Sequence, residues 1–334
     1  MRNLIRLFKL SILVIVVITL LLLHKVNQPL HLSEPYTLRI AAGSNLQAVT
    51  QQLQEHHVLK ETYSLRIYAR VLRKANKIQA GDYRLTPGVT GAEALDMWVN
   101  GKVILYEFTI IEGWSFRELW QSLKNSSYIE HTLPDNAAPK FIMEKLGYAG
   151  EHPEGRFFPD TYRFPSGTTD VDFLRRAYKT MDTNLRMIWQ ERELGLPLNN
   201  AYEALILASI VEKETGAAHE RPLIAAVFIN RLRKNMRLQT DPTIIYGIGE
   251  TYDGNIRLKD LRKDGAYNTY TRAGLTPTPI AMPGHDALYA AVHPADSDAL
   301  FFVSRGNGTH VFSKDLRDHE AAVDKFQRKI KKPK

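Results

Sequence analysis

Tyr202-Glu-Ala-Leu-Ile-Leu-Ala-Ser-Ile-Val-Glu-Lys-Glu-Thr-Gly216 is the stretch that decides how this chain folds. Between Ala204 and Val211 only Ser209 is polar, and Ala and Leu favour helix. A helix apolar nearly all round belongs in an interior rather than on a surface. It ends in two carboxylates, with Gly216 placed to stop it in a left-handed conformation. Charges at the end of a buried helix need a reason.

Helical phase separates the two. Glu212 and Glu214 stand about 200° apart around the axis, so one cleft can receive only one of them. Glu214 continues the stripe of Leu207, Ile210 and Val211. Glu212 continues the smaller, more polar stripe of Leu205, Ala208 and Ser209. Glu214 is therefore aimed at apolar surroundings. Desolvation and the negative end of the helix dipole both disfavour its charged form. A raised pKa suits a carboxylic acid that must hold a proton near neutral pH. The plainer alternative is a structural carboxylate leaning into solvent or paired with Arg221 or Arg231.

Working outward, 334 residues predict about two domains. Without cysteine there is no disulfide framework, thiol nucleophile or thiolate metal site. The formal charge of +8 sits at the ends. Arg2, Arg6, Lys9 and Lys25 precede the first acid, and a second basic run begins at Lys325. The body between them is close to neutral, which argues against a nucleic-acid surface.

Arg2, Arg6 and Lys9 lead into Leu10–Leu23, an apolar run broken only by one Ser and one Thr. Its length suits a signal-peptide core as well as a span. No small-x-small cleavage site follows, and a helix can extend back through Leu4, Ile5, Leu7 and Phe8. The expectation is an uncleaved anchor over residues 1–26, cytoplasmic N-terminus inside and body exported, followed by a linker at 27–35.

A pattern then recurs. Tyr36–Ile40 leads through Gly43-Ser44 into Leu46–His56; Gly81–Leu85 leads through Pro87-Gly88 and Thr90 into Ala92–Val99. Tyr106–Ile111 leads through Gly113-Trp-Ser115 into Phe116–Lys124. Each reads as alternating strand, glycine turn, hydroxyl N-cap and amphipathic helix. With a helix at Tyr63–Ala75, they suggest a LysM-like α/β module over 36–125, either glycan-binding or scaffold. Residues 126–334 form the expected catalytic domain. The fold class is thus α+β: a transmembrane helix, a LysM-like module and a mixed domain around a buried catalytic helix.

From Tyr128 to Leu196 the chain reads mostly helical, with a loop at Glu154–Tyr162. Its aromatics with Arg156 and Asp160 could wall a sugar cleft or simply pack a core. Beyond the central helix lie a helix at Leu223–Arg233 and Met236–Gly247, which offers Arg237, Gln239, Thr240, Asp241 and Tyr246. Ala266–Gly284 is a proline-rich segment of little periodicity bearing Asn268 and Tyr270, and long polar loops are more often functional than ornamental. Leu300–Ser304 and His310–Ser313 around Gly306-Asn-Gly308 predict a hairpin, and a basic helix closes the chain at His319–Lys332.

No phosphate loop, dinucleotide fingerprint, metal-ligand spacing or nucleophile elbow is present. The expectation is therefore no cofactor and no metal.

Ala208-Ser-Ile-Val-Glu-Lys-Glu-Thr215, Val227-Phe-Ile-Asn-Arg-Leu232, Leu238-Gln-Thr-Asp-Pro-Thr243, Tyr267-Asn-Thr-Tyr270 and Pro283-Gly284 together resemble the YceG-like (MltG) family of endolytic murein transglycosylases. The resemblance runs along nearly the whole chain and is looser at Gly274–Ala281. It implies cleavage of the MurNAc–GlcNAc bond within nascent peptidoglycan, leaving a 1,6-anhydro-MurNAc end. It also implies Glu214 as the acid/base, in agreement with helical phase. Implied partners are glycan strands, the inner membrane and peptidoglycan synthases of the penicillin-binding class. Gln239, Thr240, Asp241, Tyr246, Asn268 and Tyr270, with Arg156 and Asp160, are the candidate substrate contacts. A hydrolytic muramidase using Asp241, or a non-catalytic peptidoglycan-binding scaffold, are the rival classes.

Overall fold

The structure is a computed structural model and describes residues 2–328. It is α+β, and the chain divides into two compact units. One comprises Met1–Glu107 with Arg163–Thr168, the other Phe108–Tyr162 with Thr169–Lys334.

In the first unit, α1 (Arg2–Val26) contains a stretch, Leu4–Val26, long and apolar enough to cross a membrane, with mean hydropathy 2.6. Residues 27–35, expected as a linker, are pinned to the same unit. Leu30 N–H donates to Val89 O at 2.8 Å and His31 N–H to Val58 O at 3.0 Å. Strand β1 (Tyr36–Ile40) and helices α2 (Leu46–Glu55) and α3 (Tyr63–Val71) follow. Strand β2 (Gly81–Leu85) pairs antiparallel with β1, Tyr36 opposite Leu85, and α4 (Gly91–Val99) comes next. Their apolar faces close over Leu38, Leu53, Tyr83, Leu85 and Trp98, all buried.

The helix starts follow side-chain chemistry. Thr90 accepts from Glu93 N–H while the Glu93 carboxylate accepts from Thr90 N–H, a reciprocal capping box. The cap of α2 is Asn45, whose side chain accepts from Ala48 N–H at 2.9 Å, rather than a hydroxyl.

Strand β3 (Leu105–Thr109) carries the chain into the second unit, where Ser115 and Glu118 form a second capping box at the start of α5 (Phe116–Lys124). The third strand–turn–helix expected in the N-terminal module therefore places its helix in the second unit. The reason is packing: Phe116 stacks on Phe157, ring centroids 5.5 Å apart. After α6 (Pro139–Leu146), β4 (Thr161–Pro165) pairs with β3, so the end of the expected Glu154–Tyr162 loop is strand.

Helices α7 (Asp170–Gln190), α8 (Ala201–Glu214), α9 (Arg221–Arg233), α10 (Asp241–Ile248), α11 (Leu258–Arg262) and α12 (His285–Val292) build the rest, with α12, α9 and α7 packed on α8. Every residue from Ala204 to Val211 is buried, as its composition predicts. Ser209 is accounted for: its hydroxyl donates to Ile206 O and accepts from Ile280 N–H at 3.0 Å, tying the long loop to the central helix. The helix stops differently from expectation. Thr215 turns extended at φ −143°, and its Oγ1 accepts from Ala217 N–H at 2.9 Å. A side-chain bond does here what a left-handed glycine does elsewhere.

The predicted hairpin is β5 (Phe301–Ser304) against β6 (His310–Ser313), with Gly306 and Gly308 at positive φ in the turn. Helix α13 (Leu316–Val323) passes into a π-turn at Asp324–Arg328, and the remainder of the expected closing helix, 329–332, lies outside the described residues.

Candidate active site

The two carboxylates at the end of α8 have separate fates. Glu212 is an ion-pair residue: Arg221 Nη2 lies 3.2 Å from its Oε1, and Gly284 N–H donates to its Oε2 at 2.9 Å. Both side chains are at least nine-tenths buried. The Glu112 carboxylate packs against Gly284 where a Cβ would stand, so a larger residue there would have to displace that side chain. Glu214 meets no such partner. Its Oε1 accepts from the Thr240 hydroxyl, and Thr240 is itself held by Thr269, whose Oγ1 receives Thr240 N–H at 3.1 Å. Burial pushes the Glu214 carboxyl up to about 7; Asp241 adds to the rise, while the Thr240 bond, His310 and Arg231 oppose it. At neutral pH it is poised between acid and base.

Thr240 and its neighbours are positioned by an unusual backbone. Gln239 has φ +49°, a left-handed conformation that side chains other than glycine adopt at a cost. The turn is held by Gln239 N–H donating to Thr269 O at 3.2 Å. Arg231, buried, donates to the carbonyls of Leu238 and Leu300, each at 2.7 Å, bracing the same turn against β5.

Glu214 opens into a cavity of about 510 Å³ lined by Arg231, Gln239, Asp241, Tyr270, Phe302 and His310, among others. Asp241 begins α10 and accepts from Tyr270 O–H at 2.6 Å, which fixes both groups at the rim. His310 presents from β6 with its Nδ1 2.7 Å from Glu220 Oε2, and both are largely buried. A carboxylate on one ring nitrogen fixes the imidazole's orientation and leaves the other nitrogen for the cavity.

Residues 38–325 match the family described as YceG-like. This chain belongs to the YceG-like family. A Bacillus subtilis (strain 168) protein named endolytic murein transglycosylase is 30% identical over 309 residues, 86% of this chain and 84% of that protein. One of the same name from Streptococcus pneumoniae (strain ATCC BAA-255 / R6) is 28% identical, and this chain spans 57% of its length. The crystal structure of a yceG-like protein from Listeria monocytogenes is similar at TM-score 0.55 and 28% identity, covering 86% of this chain and 99% of that one.

Of the residues singled out in this YceG-like sequence, Gln239, Asp241 and Tyr270 line the Glu214 cavity, and Thr240 bonds Glu214 directly. Asn268 works behind them. Its amide donates to the carbonyls of Asp260, Leu261 and Lys263, and its Oδ1 accepts from Tyr270 N–H at 2.8 Å, so it shapes the loop that carries Tyr270. Tyr246 faces a different cavity. Arg156 and Asp160 line neither cavity. Arg156 pairs with Glu151 at 3.0 Å and lies over the Tyr202 ring, and exposed Asp160 bonds its neighbour Thr161 N–H. Phe157 and Pro159 beside them are buried, so the aromatic cluster here is core.

His310 at the Glu214 cavity escapes the sequence reading, and so does Glu220, which holds it from behind. His310 is an isolated histidine at a strand start and Glu220 lies 90 residues away; nothing local links them.

Proposed function

We propose that this chain is an endolytic lytic transglycosylase of peptidoglycan, cleaving the MurNAc–GlcNAc β-1,4 bond and leaving a 1,6-anhydro-MurNAc end. The observation that carries the reading is Glu214: a carboxyl raised to about 7, oriented by Thr240, at the wall of a cavity large enough for sugars. The name shared by the curated relatives supports the reaction class.

The chemistry needs one proton-cycling group. Glu214 donates its proton to the glycosidic oxygen as the bond from the anomeric carbon breaks, and the leaving sugar departs with a free 4-hydroxyl. The muramyl 6-hydroxyl then closes on the same anomeric carbon, and Glu214 takes the proton released. The acid is restored and no water is consumed. Intramolecular attack gains from proximity once the ring is held in the right pucker. Asp241, anchored by Tyr270, supplies negative charge toward the cationic anomeric centre.

In this reading α1 anchors the protein in the inner membrane with the remainder outside the cytoplasm. The first unit is a LysM-like holder of glycan, and penicillin-binding synthases supply the nascent strand. Mass spectrometry of products from uncrosslinked strands is the test. Anhydro-ended fragments, one water lighter than hydrolytic ones, are expected. Reducing ends would instead indicate a muramidase with Asp241 as second carboxylate.

A further inference from the structure

A second cavity, of about 730 Å³, lies in the same unit and plays no part in the chemistry above. It shares a wall with the first. Lys213 lines it while the next residue, Glu214, lines the other; Pro242 lines it while Asp241 lines the other. Successive helix residues point about 100° apart, so the cavities lie on adjacent sides of these two helix ends, and a strand reaches both by passing over them.

Its lining is neither a plain apolar hole nor a charged trap. Glu154, 3% exposed, borders it, with Oε1 accepting from Phe116 N–H at 2.9 Å and Oε2 from Tyr246 O–H at 3.0 Å. The Tyr246 and Tyr267 rings stand edge-to-face, centroids 4.9 Å apart, and Pro242, Ile245 and Ile280 complete the apolar side. The cations at the rim are already engaged. Arg117 pairs with Glu250 at 2.8 Å, and Lys213 Nζ donates to Gly113 O at 3.2 Å. Aromatic faces beside a hydrogen-bonding carboxyl suit a ring with one apolar face and hydroxyls at its edge.

We propose that this cavity is a saccharide subsite for the strand being cut, with Tyr246 and Tyr267 as the stacking wall and Glu154 as the hydrogen-bonding group beside them. The proposal rests on the transglycosylase reading and extends it: the sugars beyond the scissile bond bind across the start of α10. Burial also pushes the Glu154 carboxyl up to about 7, so near neutral pH it can donate to or accept from a hydroxyl.

The test uses the full chain carrying Glu214→Gln, which binds without cutting. The probes are a peptide-free octasaccharide of alternating GlcNAc and MurNAc and the corresponding disaccharide. Adding Tyr246→Ala should lower the ratio of octasaccharide to disaccharide affinity about tenfold, as expected for one lost stacking contact of 1.4 kcal/mol. An unchanged ratio in a folded variant overturns the proposal. So does a dependence on Tyr246 confined to strands bearing stem peptides, which would identify the peptide as the occupant. Should Tyr246→Ala not fold, a second readout stands without it. Exchange of the Phe116 amide, bonded to Glu154, should slow when octasaccharide is added but not with disaccharide; equal exchange in both overturns the subsite. Reducing rather than anhydro ends in the products of the unaltered chain would defeat the transglycosylase reading separately.

Discussion

The two faces of the last turn of α8 make an instructive pair. Both present a glutamate, two residues apart on one helix, yet one is a strut and the other is, in the proposed mechanism, a proton carrier. On the Glu212 face a buried arginine and the Gly284 amide satisfy the charge. On the Glu214 face there is a hydroxyl donor and a cavity, and no cation lies within ion-pair distance of Glu214 among the described residues. Burial is common to both, so burial alone does not make an acid reactive. What differs is whether the fold delivers a counter-charge.

The strongest way to break this contrast is to neutralise each glutamate. Glu214→Gln keeps the shape but cannot cycle a proton, so anhydro product should fall by roughly 10²-fold or more. Comparable activity in a pure, folded variant would remove Glu214 from the mechanism. On the other face, Arg221→Met leaves Glu212 buried with only the Gly284 amide. It should cost about 3 kcal/mol of stability, read by denaturant unfolding, while cleavage per folded molecule persists. If the losses fell the other way round, the roles of the two faces would be exchanged.

A third buried carboxylate sharpens the comparison. Glu154 has a folded pKa raised to about 7 by burial, above the unfolded value of about 4.3. The folded state therefore holds an extra proton between those two values, and stability falls as pH rises through that window. Glu154→Gln removes the loss. Its stability should match the parent near pH 4 and exceed it by on the order of 2 kcal/mol at pH 8. A constant difference across that range would mean that Glu154 is not the titrating group.

The smallest expected effect is on the rate profile. The proposed mechanism needs Glu214 protonated, so kcat/KM should decline on the alkaline side around pH 7. The Thr240 hydroxyl favours the carboxylate, and Thr240→Val should move that decline upward by about one pH unit. A limb that stays fixed would show that Thr240 does not set the acidity.

Much of this is legible in the sequence. The apolar run from Ala204 to Val211 announces a buried helix because hydrophobic period is a local property. The phase that sends Glu214 and Glu212 apart follows from the same period. The hairpin at Gly306–Gly308 and the capping boxes at Thr90 and Ser115 are local too. What the chain conceals is pairing at a distance. Strand β4 needs a partner over fifty residues away, and Pro159 just before it and Pro165 at its end read as loop. Arg221 lies nearer to Glu214 than to Glu212 in sequence, yet the packing of α9 brings it to Glu212. The local aromatic cluster around Arg156 and Asp160 reads as a cleft wall, although Phe157 packs on Phe116 and Tyr178.

The route of the chain through its two units bears on how the protein is made. The first unit takes in Arg163–Thr168 after the second has begun, although its apolar core, from Leu30 to Trp98, is complete in sequence before Glu107. A chain emerging from its N-terminus must therefore leave Phe108–Tyr162 as an open excursion until α7 and the helices after it arrive. Glu154 and Phe116 lie in that excursion, while Tyr246 and the whole Glu214 cavity arrive later. The centre that would cut a strand is thus assembled last, after the N-terminal unit has all the residues it needs to close.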